Sequence, residues 1–166
     1  MNQRFNKGEG IPHVLFFVGH FNDVDHLAPV AYKFCQSERG RSVVVVTNPL
    51  YDIQRDYRLR FLQERYAVPV VSALHFHPVS PMLGWLANLL SLPLGKGFLH
   101  RRRLFCLMAL RKVFYSKGWA GRILDRYSPA ALVFEWSDPT NGITGDFVSA
   151  AIEEGIPTFS LPHGVF

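Results

Sequence analysis

Cysteine is scarce in this chain. Cys35 and Cys106 are the only two in 166 residues, too few for a disulfide scaffold or a four-ligand zinc ribbon. Both lie in apolar, helix-like pattern, where a buried thiol is the ordinary role, and a reducing, cytoplasmic setting is the simplest inference. Charge is also low, at 19% of residues, against 48% hydrophobic. That balance excludes a disordered tail or a coiled coil and leaves ample material for a core. Long apolar runs are missing as well. No stretch reaches the roughly 20 residues of a membrane-spanning helix. The longest candidate, Met82 to Leu94, is interrupted by Gly84, Asn88, Ser91 and Pro93. Met1 to Gly10 is polar and the apolar run Val14 to Val18 is short, so no secretory signal is expected there. Internal repeats and low-complexity segments are absent from the sequence.

What is present is an alternation of apolar strands with amphipathic helices. His13 to Gly19 is a continuous apolar run closed by glycine, the pattern of a strand covered on both faces. A helical pattern follows to about Glu38, with Leu27, Val30, Ala31, Phe34 and Cys35 on one face. Pro29 is tolerated only in a first turn, which predicts a helix start near Asp25 to Leu27 and leaves His20 to Val24 as a loop. Ser42 to Thr47 is a second, β-branched strand. Asp52 to Tyr66 reads as a surface helix with Ile53, Tyr57, Phe61 and Leu62 facing inward. Val68 to Leu74 is a third strand, Ala130 to Trp136 a fourth and Pro157 to Leu161 a fifth. Ile143 to Glu154 is the helix between the last two.

This order predicts one α/β, Rossmann-like domain spanning 1–166. Its parallel sheet has about five strands in the order 3-2-1-4-5, helices on both faces, and a helical excursion over about 75–129. From residue 95 to 127 there are nine Lys/Arg against the single acid Asp125, a local charge of +8. The remaining nine bases and twelve acids leave the rest of the chain at −3. The plainest reading of the excursion is a solvated cationic face with an apolar face on the sheet. A second reading is peripheral contact with an anionic membrane through Arg101, Arg102, Arg103, Arg111 and Lys112, with the aromatic residues Trp85, Phe98, Phe105, Phe114 and Trp119 nearby in sequence. Nucleic-acid binding ranks last, because no recognised module is present, and no nucleic-acid partner is expected.

In such a sheet a ligand sits beyond the carboxyl ends of the strands, where the strand order reverses. Three segments converge there: His20 to His26, Glu135 to Thr144 and Pro162 to Gly164. His20, His26 and His163 can move protons near neutral pH. Asp23, Asp25, Glu135 and Asp138 supply carboxylates. Asn22, Ser137, Thr140 and Asn141 supply neutral hydrogen bonds, and Gly164 allows close backbone approach. Glu135 stands out because it interrupts a buried strand, although a partly exposed strand end accounts for it too. Asp23 and Asp25 also suit the first turn of a helix. Strand 1 is followed by a single glycine and strand 2 by no acid, which argues against a dinucleotide site. The P-loop pattern is missing. His75 and His77, with His100 and Cys106, have no metal-ligand spacing.

Three stretches carry a family resemblance. His26-Leu-Ala-Pro29 is similar to the H-x-x-P at the first helix of many GT-B glycosyltransferases. Glu135-Trp-Ser-Asp-Pro-Thr140 holds the place of their acidic or Ser/Thr-rich loop. Ala150 to Gly164 resembles their helix, Gly-Ile-Pro turn, strand and terminal His-Gly. The chain thus resembles the N-terminal domain of that superfamily, which also holds the UDP-sugar 2-epimerases, and in particular enzymes of surface-polysaccharide synthesis. It departs from the pattern in having Asp25, not Gly, before His26; the Gly-His pair is Gly19-His20.

The resemblance implies an acceptor-side domain with His26 or His20 as base and Glu135 beside it. A glycan or lipid-linked acceptor would be held by Asn22, Asp23, Asp25, Ser137, Asp138, Thr140, Asn141, His163 and Gly164. No metal or resident cofactor is implied for this chain. The nucleotide sugar, a co-substrate, would belong to a further C-terminal domain or subunit, which this chain is expected to lack. The cytoplasmic setting inferred from the cysteines, with peripheral contact at the inner face of the membrane through the basic stretch, agrees with a lipid-linked acceptor. Half of an epimerase and a non-catalytic binding or assembly module are the competing readings.

Overall fold

A computed structural model describes residues 13–37, 40–48, 51–76, 117–135 and 142–161. Strand β1 is His13–Val18, β2 Arg41–Val46, β3 Val70–Ser72, β4 Ala131–Glu135 and β5 Thr158–Leu161. They form one sheet in the order β3-β2-β1-β4-β5. Every pairing is parallel, with Leu15 opposite Val43 on one side and Leu132 on the other. Helix α1 is Phe21–Gln36, α2 Tyr57–Tyr66, α3 Lys117–Tyr127 and α4 Gly142–Glu154, with a short 3₁₀ turn at Ala73–Phe76. The architecture is the expected Rossmann-like one, and α3 is the described part of the excursion between β3 and β4.

The alternation of side chains along a strand divides the core in two. Leu15, Phe17, Val43 and Val45 face one way and pack against Ile123 and Leu124 of α3 and Phe147, Ala150 and Ala151 of α4. Phe16, Val18, Val44 and Val46 face the other way, against Val24, Leu27, Ala28 and Ala31 of α1 and Leu59 and Leu62 of α2. Both faces of β1 and β2 are therefore covered, which is why their sequences are almost unbroken Val and Phe. Ser42 is the buried polar residue of β2, and its Oγ donates to the Ala31 carbonyl at 2.9 Å. Among the described residues no helix is long and apolar enough to cross a membrane.

Local expectations are corrected in three elements. Helix α1 starts at Phe21, not near Asp25, so His20 to Val24 is not a loop and Pro29 lies inside the helix. The cause is the Asp23 carboxylate, which accepts from the Gly19 and His20 amides at 2.6 and 2.8 Å. It caps a helix that begins a turn earlier than the proline alone suggests. Val30 is exposed and Val24 and Ala28 are buried, so the inward face is rotated from the expected one.

Helix α2 starts at Tyr57 rather than Asp52. Asp56 is its N-cap, accepting from the Arg58 and Leu59 amides, while Asp52 closes a separate turn through Gln54 and Arg55. Its buried residues are Leu59 and Leu62, and Tyr57 and Phe61 point outward at 69% and 47% exposure. Strand β3 is shorter than expected, because the chain tightens into the 3₁₀ turn at Ala73.

Candidate functional site

The strand order reverses at β1. From β1 the chain runs through α1 to β2 on one side, and β4 flanks β1 on the other. The carboxyl ends of β1 and β4 and the N-terminus of α1 therefore meet at one place. Gly19 leaves β1 there. A Cβ on it would come within 3.1 Å of Thr47 Oγ1 and 3.4 Å of Asp23 Oδ2, so a larger residue would press on the Thr47 side chain where β1, β2 and α1 meet. Thr47 ties the end of β2 to β1 by donating its amide to the Val18 carbonyl at 2.8 Å.

Glu135 ends β4 at 6% exposure. Its carboxyl lies close enough to that of Asp23, in the first turn of α1, for the two to shift each other's protonation. Two carboxyl groups in such contact cannot both be ionised. Burial is the main force lifting Glu135, and the Asp23 hydrogen bond and charge, with the charge of Asp25, add to it; together they push it up to about 8. Asp23 goes the other way. Burial acts to raise it, but the Glu135 hydrogen bond, the two amides of Gly19 and His20 and the nearby His20 side chain outweigh that and hold it below the usual range. The opposite directions favour the proton on Glu135 and the negative charge on Asp23.

His26 lies one turn along α1 from Asp23, on the same side of the helix. Its Nε2 is 3.5 Å from Glu135 Oε1, and its side chain is half exposed. A polar series thus runs from half-exposed His26 to buried Glu135, then to half-buried Asp23 and the backbone amides of Gly19 and His20. The outer group can meet a ligand, and the inner groups control its orientation and proton.

The structure brings His26, Glu135 and Asp23 together. His20 is the exposed N-cap residue of α1, close enough to Asp23 for its charge to act there. Asn22 is exposed in the same first turn. Asp25 turns away from Glu135 toward α2, where it pairs with Arg58. Ser137, Asp138, Thr140, Asn141, His163 and Gly164 lie outside the described residues, as do Arg101, Arg102, Arg103, Arg111 and Lys112. Among the described residues no three His, Cys, Asp or Glu side chains gather to hold a metal ion.

Sequence reasoning missed the clamp between the two helices beside this site. Arg58 donates its Nε to Asp56 Oδ1 at 3.0 Å and one terminal nitrogen to Oδ2 at 2.5 Å, and it also pairs with Asp25 of α1. Its guanidinium covers the Phe21 ring at 3.8 Å, and Tyr51 donates its hydroxyl to Asp56. Burial acts to raise Asp56, but Arg58 and Tyr51 bring it down to about 2. The clamp fixes the first two turns of α1, and so the position of Asp23 and His26. The Asp-x-Arg spacing around a helix start was the available signal, since an N-cap Asp can also pair with a side chain in the first turn. Compared with protein-family models and with curated proteins, the chain matches none.

Proposed function

We propose that this chain is the acceptor-side domain of a nucleotide-sugar-dependent glycosyltransferase working in cell-surface polysaccharide or glycolipid synthesis. The observation that carries the reading is the His26–Glu135–Asp23 series at the reversal of strand order. The motif resemblances at His26-Leu-Ala-Pro29 and Ala150 to Gly164 give the reading its direction.

In an inverting displacement the half-exposed imidazole of His26 takes the proton of the acceptor hydroxyl. The acceptor oxygen forms its bond to the anomeric carbon as the bond from that carbon to the diphosphate oxygen breaks, and the nucleoside diphosphate leaves with the electron pair. The imidazolium formed lies beside Glu135, and the negative charge of the Asp23–Glu135 pair stabilises it. Asp23, anchored by two amides, holds Glu135 in place. A positioned base of this kind is worth about 10²–10⁴ in rate. The working place in this reading is the cytoplasmic face of the membrane, where a lipid-linked acceptor is presented.

The test supplies the chain with its donor-binding domain or subunit and screens nucleotide sugars and saccharide acceptors, read as release of nucleoside diphosphate with formation of glycosylated product. His26→Ala should lower kcat by about 10²–10⁴ with little change in the donor KM. An isomerised sugar nucleotide with no glycosylated product would instead identify the epimerase reading. Saccharide binding without turnover would identify a binding module.

A further inference from the structure

Helices α1 and α2 leave a groove of about 710 Å³ between them, within the range of about 300–1,000 Å³ typical of ligand sites. His26, Glu135 and Asp23 are not among the residues that line it. Val24, Ala28 and Leu62 form its buried apolar base. Tyr57 and Phe61, one turn apart on α2, stand along it with most or about half of their surface in water. The Phe61 ring is nonetheless held in place, packed against Tyr32 and Tyr66 with centroids at 6.2 and 5.4 Å. Tyr32 and Tyr66 meet each other at 4.7 Å. The groove therefore has a fixed aromatic wall open to solvent.

Its polar groups are numerous and balanced. Arg58, Arg60 and Arg65 are matched by Asp25 and Glu64 in the groove and by Asp56, which pairs with Arg58. Arg60, Glu64 and Arg65 are exposed and form no ion pair or side-chain hydrogen bond among the described residues. Pro29, also in the lining, has no amide hydrogen to give the Asp25 carbonyl one turn before it, so that oxygen lacks its usual helical donor. Donors and acceptors thus stand side by side around rings.

This composition narrows the occupant. Balanced charge gives no preference for an anion. A protein partner would strip water from several charged groups, which the cores of protein interfaces avoid. A neutral saccharide meets every feature. Its hydroxyls both donate and accept, so they serve guanidinium, carboxylate and carbonyl alike. Its C–H face packs on the negative face of an aromatic ring.

We propose that the α1–α2 groove binds a neutral saccharide, with sugar rings against Phe61 and Tyr57. Its hydroxyls accept from Arg60 and Arg65 and donate to Glu64 and the Asp25 carbonyl. The proposal does not rest on the transferase reading, because binding here requires neither His26 nor turnover.

The experiment exposes the labelled full chain to an array of immobilised neutral oligosaccharides, with sulfated and phosphorylated ones alongside. Neutral oligosaccharides should be retained, equally at low and high salt. In solution, Phe61→Ala should weaken binding of the best-retained oligosaccharide about tenfold, the loss of one aromatic contact. Glu64→Gln with Arg65→Gln removes the charged hydrogen bonds at near-equal shape and should weaken it about tenfold as well. Phe61, Glu64 and Arg65 are exposed, so these variants should keep the wild-type thermal midpoint. His26→Ala should bind like the wild type. The proposal is overturned if no neutral oligosaccharide is retained, or if the Phe61 variant and the Glu64 and Arg65 variant both bind unchanged. Loss of binding in His26→Ala would overturn it too, by placing the saccharide at the strand ends. So would dissociation of a dimer by Phe61→Ala without saccharide, since the groove would then be an interface between copies.

Discussion

Asp23 in the first turn of α1 and Glu135 at the end of β4 bring two carboxyls together, and their surroundings push them in opposite directions. Asp23 is anchored by backbone amides and favours the charge; Glu135 is buried and favours the proton. The difference sets a pH signature. The folded pKa of Glu135 lies above its unfolded value of 4.5, at about 8. The folded state therefore binds more protons than the unfolded state between those limits, and stability is lost as pH rises through that window. Glu135→Gln keeps the shape and a donor toward Asp23 and does not titrate. The thermal midpoint of the wild type should fall relative to that variant from pH 4.5 to about 8 and run parallel to it above. A constant difference across the window would show that Glu135 does not hold a proton in the folded chain.

Removing the anchor of this pair should lower both stability and the Glu135 pKa. Asp23→Ala deprives the Gly19 and His20 amides of their acceptor and takes the negative charge away from Glu135. Loss of a helix-start acceptor costs about 1–2 kcal/mol, measurable by denaturant unfolding. The Glu135 carboxyl should titrate at lower pH than in the wild type, although burial keeps it above the ordinary range. Carbon-detected NMR of the Glu135 side chain reads this directly. An unmoved titration would mean that burial alone sets it.

Much of this arrangement was legible in the residues, and the exceptions have physical causes. Phe16 to Val18 and Val43 to Val46 read as strands because burial on both faces leaves no room for polar alternation. Glu135 was noticeable because a carboxylate ends such a run. Its pairing with Asp23 was not legible, because no local pattern records which helix start a distant strand end will meet. Pro29 misled because its cost is local and visible, whereas the offsetting cap lies six residues earlier and depends on tertiary placement. Tyr57 and Phe61 misled because a large ring satisfies helical periodicity whether it faces the core or an outer groove.

Pro29 itself gives a stability prediction. Inside α1 it cannot donate to the Asp25 carbonyl one turn before it, and its ring crowds that carbonyl. Pro→Ala in a helix interior is worth about 3 kcal/mol, less about 1 kcal/mol for the freedom restored to the unfolded chain. Pro29→Ala should therefore stabilise the fold by about 2 kcal/mol in a denaturant titration. A destabilised variant would show that Pro29 contributes packing in the groove that outweighs its cost to the helix.

Arg58 is where the positioning of the site can be separated from its chemistry. Its side chain is 10% exposed and satisfies the buried Asp56 through two hydrogen bonds while reaching Asp25. Arg58→Met removes the charge and leaves Asp56 with Tyr51 and the two amides of its cap. Breaking a buried pair from one side costs about 3–5 kcal/mol. The remaining partners of Asp56 and the exposure of Asp25 bring the expected loss nearer to about 2–3 kcal/mol. Asp56 should also lose part of its depression to about 2. Its folded value lies below the unfolded 3.8, so its contribution is present above pH 3.8 and is lost as pH falls through about 2. The variant should therefore differ most from the wild type at neutral pH and converge with it in strong acid. Denaturant unfolding at neutral and acid pH checks both statements. A loss that is equal at the two pH values would assign the role of Arg58 to packing over Phe21 rather than to its ion pairs.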